Sequence, residues 1–430
     1  MNKYILVPSI LALMVVLATA SMNTVNTASS QGTVVKCMDI TTPGYYYLSS
    51  NIMGVEEGKE RCIGIFANNV VLDGKGFSLN GEGGFGLLIK AVNVTVGNIT
   101  ISGYDIGVRL NGGSSDNTLV SVNVLNNMIG IQLVESNHNT LAYITASNNE
   151  YGVQLNSSKN NTITNSLIIN NEADGIQLGL TSYNVYSSYN TIVNTTVSNN
   201  KNAGINLLDS TYYLNVVNTT LSNNNYGLYI KNSGYNTVVD SIIVSNNYGV
   251  VLDAASKNTF YNNFFNNTYS NVIIYGGSNT WSMAKTPGRN IIGGGYIGGN
   301  YWTNPKGGDF SDTCRDNNND GLCDEPYVID ENNVDYYPLR IIHEVSTQTT
   351  SPTPKPTVTQ TTTSSATTEG TRTTPTTHTT TTTTQTPITS ASTTLETTTQ
   401  GQDSTIRLVI GVIFVIGGLI LLLLPRLRRK

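Results

Sequence analysis

An acidic segment near residue 320 has the residue types and the spacing of a cation-binding loop. It reads Asp316-Asn-Asn-Asn-Asp-Gly-Leu-Cys-Asp324, with oxygen-bearing side chains at alternate positions and Gly321 where a sharp turn is needed. Carboxylate, amide and carbonyl oxygens are the ligands that calcium takes in such loops. We therefore predict a calcium site with the ligands Asp316, Asn318, Asp320, the Leu322 carbonyl and Asp324.

The match to a standard calcium loop is incomplete at its last position. A bidentate Glu is expected there, and the sequence has Tyr327. Glu325, Asp312 or Asp309 would have to complete the coordination shell. The alternative interpretation is an acidic turn that is closed by a disulfide and holds no metal ion.

A second set of polar residues recurs along the middle of the chain, each between two aliphatic residues. Gln154, for example, lies between Val153 and Leu155. The set consists of Arg109, Gln132, Gln154, Gln177, Asn206 and Tyr229, with Val251 at the next equivalent position. If these residues stack at about 4.8 Å, they form an outward polar strip that could hydrogen-bond an extended glycan. The alternative is an amide ladder that only stabilises the stack.

Carboxylates that could catalyse sugar chemistry are sparse. A glycosidase needs two carboxylates at a controlled separation, and the best candidates are Asp105, Glu150, Glu172 and Asp174. Isolated acids on a solvated turn explain them more simply. A polysaccharide lyase also needs a cation near an acidic sugar, and Arg109 is the only arginine between Cys62 and Trp281. The sequence thus favours a non-enzymatic protein.

The four cysteines and the low charge indicate the kind of environment. Cys37 and Cys62 form one close pair in sequence, and Cys314 and Cys323 form another. In an oxidising exterior such pairs favour disulfides over metal ligands. The net charge is only -5. A nucleic-acid partner is not expected, because phosphate binding needs clustered Lys and Arg.

An internal repeat organises the residues just described. A glycine precedes a short aliphatic pair at steps of 21 to 23 residues, with one step of 29. The series is Gly64, Gly86, Gly107, Gly130, Gly152, Gly175, Gly204, Gly227 and Gly249. From Gly107 onward the positions one and three after the glycine are always aliphatic. This alternation predicts a strand with one face in the core.

Each repeat also carries asparagines at fixed places. Most repeats have Asn-Thr about ten residues after the glycine pair, as at Asn139 and Asn161, and close on Asn-Asn, as at Asn148-Asn149. Gly and Asn accept left-handed backbone angles, and Asn can stack into hydrogen-bonded ladders. We predict a right-handed parallel β-helix of coils of about 22 residues. A leucine-rich-repeat horseshoe does not fit the leucine spacing, and a propeller needs about twice this period.

The two ends of the chain predict export and a membrane anchor. An apolar run from Tyr4 to Leu17 precedes Ala18-Thr-Ala20, which is typical of a cleaved signal peptide. The apolar run Ile406 to Leu424 spans roughly 28 Å as a helix, close to a bilayer core. The basic tail after Pro425 is expected on the cytoplasmic side. We therefore predict a single-pass cell-membrane protein with its ectodomain outside.

The segment before this anchor is rich in Thr, Ser and Pro and cannot bury a core. It resembles an O-glycosylated stalk. The predicted organisation is a signal peptide at 1–20, an N-terminal cap at 37–62, β-helix repeats at 63–281, a C-terminal cap at 282–343, a stalk at 346–404, a transmembrane helix at 406–424 and a basic tail at 425–430.

The repeat units and the C-terminal block resemble the NosD-type β-helix family, within the carbohydrate-binding and sugar-hydrolase β-helices. The block consists of Gly298-Gly-Asn-Tyr-Trp302, Pro326-Tyr-Val-Ile-Asp330 and Asp335-Tyr-Tyr-Pro-Leu339. The opening Thr42-Pro-Gly-Tyr-Tyr-Tyr-Leu48 resembles the first strand of the family, and the resemblance covers about residues 37–340. With the stalk and the terminal helix, the whole chain is similar to archaeal surface proteins.

The family name is linked to copper delivery, but the copper role is not expected here. Copper prefers clustered imidazole or sulfur ligands. Of the three histidines, only His138 lies within the repeats, while His343 and His378 follow them. The resemblance and the residues together predict a module that binds an extracellular polysaccharide or a cell-envelope glycan, or supports the envelope. A polysaccharide-degrading enzyme is the alternative.

Several Asn-x-Ser/Thr sequences permit N-glycosylation of an exported chain. They begin at Asn93, Asn98, Asn156, Asn160, Asn194, Asn218 and Asn266. Asparagine-rich repeats produce such matches by chance, so the sequence does not indicate which of them are occupied.

Overall fold

The computed structural model describes residues 31–179 and 186–342, and these residues form one long stack of parallel strands. An 11-stranded sheet, called sheet 1 here, takes one strand from each coil. Its strands are Met38–Ile40, Arg61–Ile65, Phe85–Ile89, Ile106–Asn111, Ile129–Val134, Tyr151–Asn156, Ile176–Leu178, Ala203–Leu207, Tyr226–Lys231, Tyr248–Asp253 and Ser270–Tyr275.

A 20-stranded sheet, called sheet 2, forms the remaining walls and takes two short strands from most coils. Its strands are Gln31–Val34, Gly44–Leu48, Ile52–Met53, Val70–Asp73, Ser78–Asn80, Thr95–Ser102, Thr118–Leu125, Thr140–Ala142, Thr145–Ser147, Thr162–Thr164, Leu167–Ile169, Thr191–Val193, Thr196–Ser198, Asn215–Val217, Thr220–Ser222, Thr237–Val239, Ile242–Val244, Thr259–Tyr261, Phe264–Asn266 and Tyr301–Thr303.

A few short elements complete the described part of the chain. Ser187–Ser188 pairs with Thr211–Tyr212 in parallel. In the C-terminal block, Thr286–Pro287 pairs with Tyr296–Ile297, and Tyr327–Asp330 with Asn333–Asp335, both antiparallel. The helix α1, Phe310–Thr313, begins with Asp309 as its N-cap. The architecture is an all-β parallel solenoid, as the repeat predicts.

The interior is a continuous aliphatic column. The predicted inward residues of sheet 1, such as Val153 and Leu155, are at most 1% exposed and belong to the same core. At the C-terminal end the column changes to aromatic rings. Trp281 stacks on Phe260 with ring centroids 4.4 Å apart, and Trp302 stacks on Phe265 at 4.5 Å. These fully buried rings close the core against the C-terminal block.

Asparagine ladders run through the same interior. In one of them, each side-chain oxygen accepts the backbone N–H of the asparagine one coil earlier, as Asn149 Oδ1 does from Asn127 at 2.9 Å. The side-chain nitrogen then donates to a carbonyl of the preceding coil, as Asn149 Nδ2 does to Val124 at 3.1 Å. This ladder consists of Asn127, Asn149, Asn171, Asn200, Asn224, Asn246, Asn267 and Asn271. The predicted asparagine ladder is therefore confirmed.

The predicted reason for the recurring glycines is wrong. Gly152 and its equivalents do not have the left-handed angles that the sequence suggested. Instead, a Cβ on Gly152 would lie 2.5 Å from the Gly175 carbonyl oxygen and 2.9 Å from Asn171 Nδ2. The glycine column exists because the next coil and the asparagine ladder approach too closely for a side chain. Left-handed angles occur at the coil-closing asparagines, where Asn148 and Asn170 have φ of 55° and 57°.

Candidate ligand-binding face

The outer surface of sheet 1 carries the predicted polar strip, and its members are in register. Arg109 pairs with Gln132, Gln132 with Gln154, and Gln154 with Gln177. The column continues through Asn206, Tyr229 and Val251. Because the neighbouring positions on each strand point into the core, these side chains share the outer face.

Glutamine side chains in this column hydrogen-bond one another. Gln132 Nε2 donates to Gln154 Oε1 at 3.0 Å, and Gln154 Nε2 donates to Gln177 Oε1 at 3.0 Å. The three side chains are only 6% to 9% exposed. This arrangement matches the ladder alternative for Gln154, whose two polar atoms are both occupied by neighbouring amides.

Asp174 ends this amide ladder as a buried carboxylate. Gln177 Nε2 donates to its Oδ2 at 2.9 Å, and Asn206 Nδ2 donates to the same oxygen at 2.8 Å. Its Oδ1 accepts from Asn202 Nδ2 at 2.7 Å and from the Ala203 backbone at 3.1 Å. Asp174 is 2% exposed, so its charge is stabilised by four donors and not by water.

An extra residue in the coil brings Asp174 to this position. Gly175 follows Asn171 of the interior ladder by four positions, whereas Gly152 follows Asn149 by three. Asp174 therefore directly precedes the glycine, where the previous coil has Tyr151. The sequence interpretation treated Asp174 as a candidate acid and missed its link to the strip. The longer spacing between asparagine and glycine was the signal that could have shown it.

Three amide oxygens on this face are buried and have no hydrogen-bond partner. They are Gln132 Oε1, Asn156 Oδ1 and Asn206 Oδ1. Arg109 Nε on the same face is also buried without a partner. A buried polar atom left unpaired costs about 1–3 kcal/mol. Four such atoms leave hydrogen-bonding capacity on this face, which a water or a ligand would reach when the side chains turn outward.

The same face changes to aromatic side chains toward the C-terminal coils. Tyr226 and Tyr248 stack with centroids 5.7 Å apart, Tyr229 lies 5.5 Å from Tyr226, and Tyr269 lies 5.7 Å from Tyr248. We call these four residues the tyrosine row. Tyr229 donates its hydroxyl to Asp253 Oδ2 at 3.1 Å, and burial, followed by the Asp253 contact, raises the pKa of Tyr229. The row therefore combines phenol hydroxyls with ring surface that is at least partly exposed.

Arg109 supplies the isolated positive charge at the other end of the strip. Its guanidinium lies over the Phe85 ring, 5.2 Å from the centroid. Burial lowers the pKa of Arg109, but a guanidinium starts so high that it stays protonated at neutral pH. The structure gives no ion pair to Arg109 within the described residues.

The candidate catalytic acids are tied to other partners or stand apart. Asp105 Oδ2 accepts the Gly84 backbone N–H at 2.7 Å, and Glu172 forms an ion pair with Lys201. Asp174 is saturated by its four donors, and Glu150 is exposed. Burial, followed by the charges of Glu150 and Asp174, raises the pKa of Tyr151 between them, which disfavours Tyr151 as a base at neutral pH.

The acidic loop folds around its own backbone. Asp316 Oδ2 accepts from Gly321 N at 2.9 Å, Asn318 Oδ1 from Asp320 N at 3.1 Å, and Asp320 Oδ1 from Leu322 N at 3.0 Å. The side chains predicted for positions one, three and five thus curl over one turn, where Gly321 has φ of 84°.

Two of the predicted ligands in this loop also contact other side chains. Lys285 forms an ion pair with Asp320, and Asp324 accepts from the backbone and side chain of Asn317. The described residues contain no group of three His, Cys, Asp or Glu side chains arranged to hold a metal ion. Calcium would have to displace the Lys285 ammonium, so the calcium site remains a prediction.

Both predicted disulfides are present. Cys37 bonds Cys62 with Cα atoms 4.4 Å apart, and Cys314 bonds Cys323 with Cα atoms 5.6 Å apart. All four sulfurs are therefore unavailable to copper, and His138 is the one histidine among the described residues. The described donor set does not fit a copper site.

Asp335 is a buried acid that the sequence interpretation did not single out. Its Oδ2 accepts from the Asn300 backbone at 2.8 Å and from Trp302 Nε1 at 2.9 Å, and its Oδ1 accepts from Tyr337 N at 3.1 Å. Burial raises the pKa of Asp335 to about 7 although these donors oppose the shift. It therefore closes the end of the core and titrates near neutrality.

The described residues contain no helix that is long and apolar enough to span a bilayer. The predicted signal peptide, stalk, transmembrane helix and basic tail lie outside residues 31–179 and 186–342.

Two family models match the chain. The model described as a right-handed β-helix region matches residues 50–188, and the model described as periplasmic copper-binding protein (NosD) matches residues 181–307. No curated protein sequence matches the chain significantly.

Solved structures give further similarities. The Dettilon tailspike protein has 15% identity and a TM-score of 0.43, with 57% of this chain and 61% of the tailspike covered. The A-module of the mannuronan C-5 epimerase AlgE6 from Azotobacter vinelandii has 13% identity, a TM-score of 0.40 and coverage of 59% and 87%. Pectate lyase Pel9A has 16% identity, a TM-score of 0.39 and coverage of 61% and 73%.

Proposed function

The chain is a right-handed parallel β-helix of the NosD-type family, with the NosD model matched over residues 181–307. From this premise, we propose that the protein is a non-enzymatic, surface-anchored glycan-binding module. The carrying observation is the outer face of sheet 1. There, three buried amide oxygens and one arginine nitrogen lack partners on the same sheet that carries the tyrosine row.

The unpaired atoms match the hydrogen-bonding groups of a sugar. With these side chains turned outward, a glycan hydroxyl would donate its hydrogen to an amide oxygen such as Gln132 Oε1 or Asn206 Oδ1, and it would accept from Arg109 Nε. Each such pair removes the cost of an unpaired buried group, about 1–3 kcal/mol. Gln132 and Asn206 are three coils apart, or roughly 14 Å at 4.8 Å per coil. An extended chain of several sugars would bridge them.

The tyrosine row supplies the apolar part of such a site. Tyr226 and Tyr248 are neither fully buried nor fully exposed, so that ring area is available at the surface. Rings of this kind bury apolar area when a ligand covers them and keep a polar hydroxyl in water. The face therefore offers hydrogen bonds at one end and stacking surface at the other.

The arrangement favours binding over cleavage. A glycosidase pair needs a free nucleophile or base opposite a proton donor. Asp174 accepts four hydrogen bonds, Glu172 is paired with Lys201, and Asp105 holds the Gly84 amide. Activity on a polysaccharide is thus the competing outcome to be tested.

Surface anchoring is the second part of the proposal, and the sequence supports it through its signal-like start, Thr-rich segment and terminal apolar run. Protease added to intact cells should release a fragment that contains residues 37–340. Complete protection of this fragment, while a known surface protein is cleaved in parallel, would contradict the orientation.

The binding test uses the ectodomain, residues 21–404, on a panel of neutral and acidic polysaccharides with calcium present. Tyr226→Ala and Gln132→Ala should each weaken binding about tenfold, which corresponds to about 1.4 kcal/mol. Changing Gln154 and Gln177 together to Ala should also weaken it, because these residues orient Gln132.

Tyr143→Ala is the matched control, since Tyr143 is 47% exposed at a corner of sheet 2, away from the proposed face. Binding that is unchanged by Tyr226→Ala and Gln132→Ala would assign the face a structural role only. New reducing ends or unsaturated products that disappear on changing Glu150 or Asp174 would instead establish the enzyme.

A further inference from the structure

The seven N-glycosylation sequences differ sharply in whether their asparagine is free to react. The side-chain nitrogen of four of them is engaged with a neighbouring side chain. Asn93 donates to Asn69 at 2.7 Å, Asn98 to Asp73 at 3.2 Å, Asn194 to Asn165 at 3.4 Å and Asn218 to Asn194 at 2.9 Å.

Two further sites are covered. Asn156 is 6% exposed and Asn266 is half-buried, and each has its side-chain oxygen buried. Asn160 alone combines an exposed side chain with the absence of any side-chain hydrogen-bond partner among the described residues. Its backbone has φ of 55° at a corner of the coil, and its N–H donates to the Ser188 carbonyl at 3.1 Å.

The coil after Asn160 has an aromatic residue at the equivalent corner. Lys159 pairs with Ser188, so Tyr189 is the equivalent of Asn160 one coil later. Tyr189, Tyr213 and Tyr235 then stack along the axis, with centroids 4.7 Å and 5.3 Å apart. All three have φ between 57° and 59°, which is rare for a bulky residue.

The two ends of this tyrosine stack differ. The Lys257 ammonium lies over Tyr235, 5.0 Å from the ring centroid, and bonds its hydroxyl at 2.8 Å. At the other end, no ring or cation among the described residues covers the face of Tyr189 toward Asn160. Tyr189 is also the most exposed of the three, at 55%. Within the described part of the chain, one aromatic face is therefore uncovered one coil after the sequence asparagine whose side chain is free.

We propose that Asn160 is the preferred N-glycan attachment site and that its first sugar packs on the open face of Tyr189. The Asn160 nitrogen attacks the anomeric carbon of a lipid-linked glycosyl diphosphate. The new C–N bond replaces the C–O bond to the diphosphate, which leaves with that bond's electron pair, and a transferase base takes the amide proton. The inference rests on export of the ectodomain, the second part of the proposed function.

The test is glycopeptide mass spectrometry on the full-length protein isolated from the cells that make it. Asn160 should be occupied in most molecules, and several times more often than Asn156 or Asn218. Thr162→Val, which keeps the shape but removes the acceptor sequence, should abolish the Asn160 glycopeptide. Thr162→Ser keeps the sequence and should retain it. If surface protease cleaves the chain but Asn160 carries no glycan, the inference about Asn160 is wrong and export still holds. If the chain is protected from the protease, export itself is wrong.

The ring contact has its own readout. Thr162→Val should lower the thermal midpoint of the glycoprotein when Tyr189 is present, because the sugar–ring contact is lost. In a Tyr189→Ala background, Thr162→Val should leave the midpoint unchanged. Equal shifts in both backgrounds would show that the sugar does not pack on Tyr189.

Discussion

Stacked amides occur twice in this protein, inside the coils and on the outer face of sheet 1, and the two ladders are built differently. The interior ladder from Asn127 to Asn271 runs through eight asparagines, and the side-chain nitrogen of each of the first seven reaches a backbone carbonyl as well as the next oxygen. The outer ladder spans only Gln132 to Gln177 and ends on Asp174.

The difference lies in what remains unpaired. In the interior ladder, Asn149 uses both side-chain atoms on the protein itself. On the outer face, Gln132 Oε1 and Asn206 Oδ1 have no partner. A ladder whose atoms are all paired stabilises the fold, whereas a ladder with buried unpaired atoms leaves hydrogen-bonding capacity for a ligand.

The largest expected effect is the loss of stability when one amide is removed from the interior ladder, compared with the same change in the outer ladder. Asn149→Ala should lower the free energy of unfolding by roughly 3 kcal/mol or more, because it leaves the Asn127 N–H and the Val124 carbonyl buried without partners. Urea unfolding followed by circular dichroism measures the loss. Gln154→Ala is the control and should cost about 1 kcal/mol, because the Gln132 and Gln177 amides that it leaves unpaired lie on the outer face and can turn toward water. Equal losses would erase the distinction between the ladders.

The buried carboxylate of Asp335, at the C-terminal end of the core, makes the stability of the protein depend on pH. Since burial raises the pKa of Asp335 to about 7, the folded state binds this proton more tightly than the unfolded chain. Stability from this group is full below about pH 4 and falls as the pH rises through 7. Between pH 4 and 8 the wild type should lose about 2–4 kcal/mol relative to Asp335→Asn.

Denaturant unfolding of both proteins across this pH range gives the measurement. The slope of stability against pH is the quantity to compare. The absolute stability of Asp335→Asn also changes for another reason, because the amide nitrogen cannot accept the Tyr337 N–H that the carboxylate accepts. Parallel curves for the two proteins would show that Asp335 does not titrate in this range.

The close approach of neighbouring coils at the glycine column predicts a smaller loss of stability. Gly152→Ala should destabilise the protein by about 1–3 kcal/mol, because the new methyl group would meet the Gly175 carbonyl and Asn171. Gly295→Ala is the matched control, since a Cβ there meets nothing within 4 Å. Thermal unfolding compares them. A neutral Gly152→Ala would mean that the coils can separate at no cost.

The smallest expected effect concerns the acidic loop, which is far from both ladders in sequence. Calcium should raise the thermal midpoint modestly, because a ligand bound only by the native state stabilises it. Lys285→Ala should increase this shift by removing the competing ammonium, and Asp320→Ala should abolish it. If the thermal midpoints in calcium and in chelator are identical for both the wild type and Lys285→Ala, the loop does not bind calcium.

Much of the fold could be predicted because stacking copies one local pattern many times. The inward pairs such as Val153 and Leu155 and the interior asparagine ladder depend on chemistry that the repeat displays directly. Both disulfides join cysteines that already form close pairs in the sequence. The role of the glycines could not be predicted in the same way. A close approach between Gly152 and the following coil is a property of two coils, and one repeat alone does not show it.

The candidate site was predictable in position but not in chemistry. The sequence placed Gln132, Gln154 and Gln177 on one face, yet it could not show which amide atoms their neighbours use. The extra residue before Gly175 decides that, because it turns Asp174 toward Gln177 and Asn206. The tyrosine row was also missed, since the position before the glycine that holds Tyr226 and Tyr248 varies in earlier coils, with Ile129, Tyr151, Asp174 and Ala203.

The interior ladders also have a direction, which bears on how the chain folds during synthesis. Each ladder asparagine N–H points toward the coil that follows it, so each finished coil leaves donors for a coil not yet made. The last donors reach acceptors in the C-terminal block, at Thr303 O, Asn333 and Asp335. Because chains emerge N-terminus first, folding can advance coil by coil, and the unpaired donors of the last folded coil bind the next one. The C-terminal block is made last, and it pairs the remaining donors so that no further coil can be added.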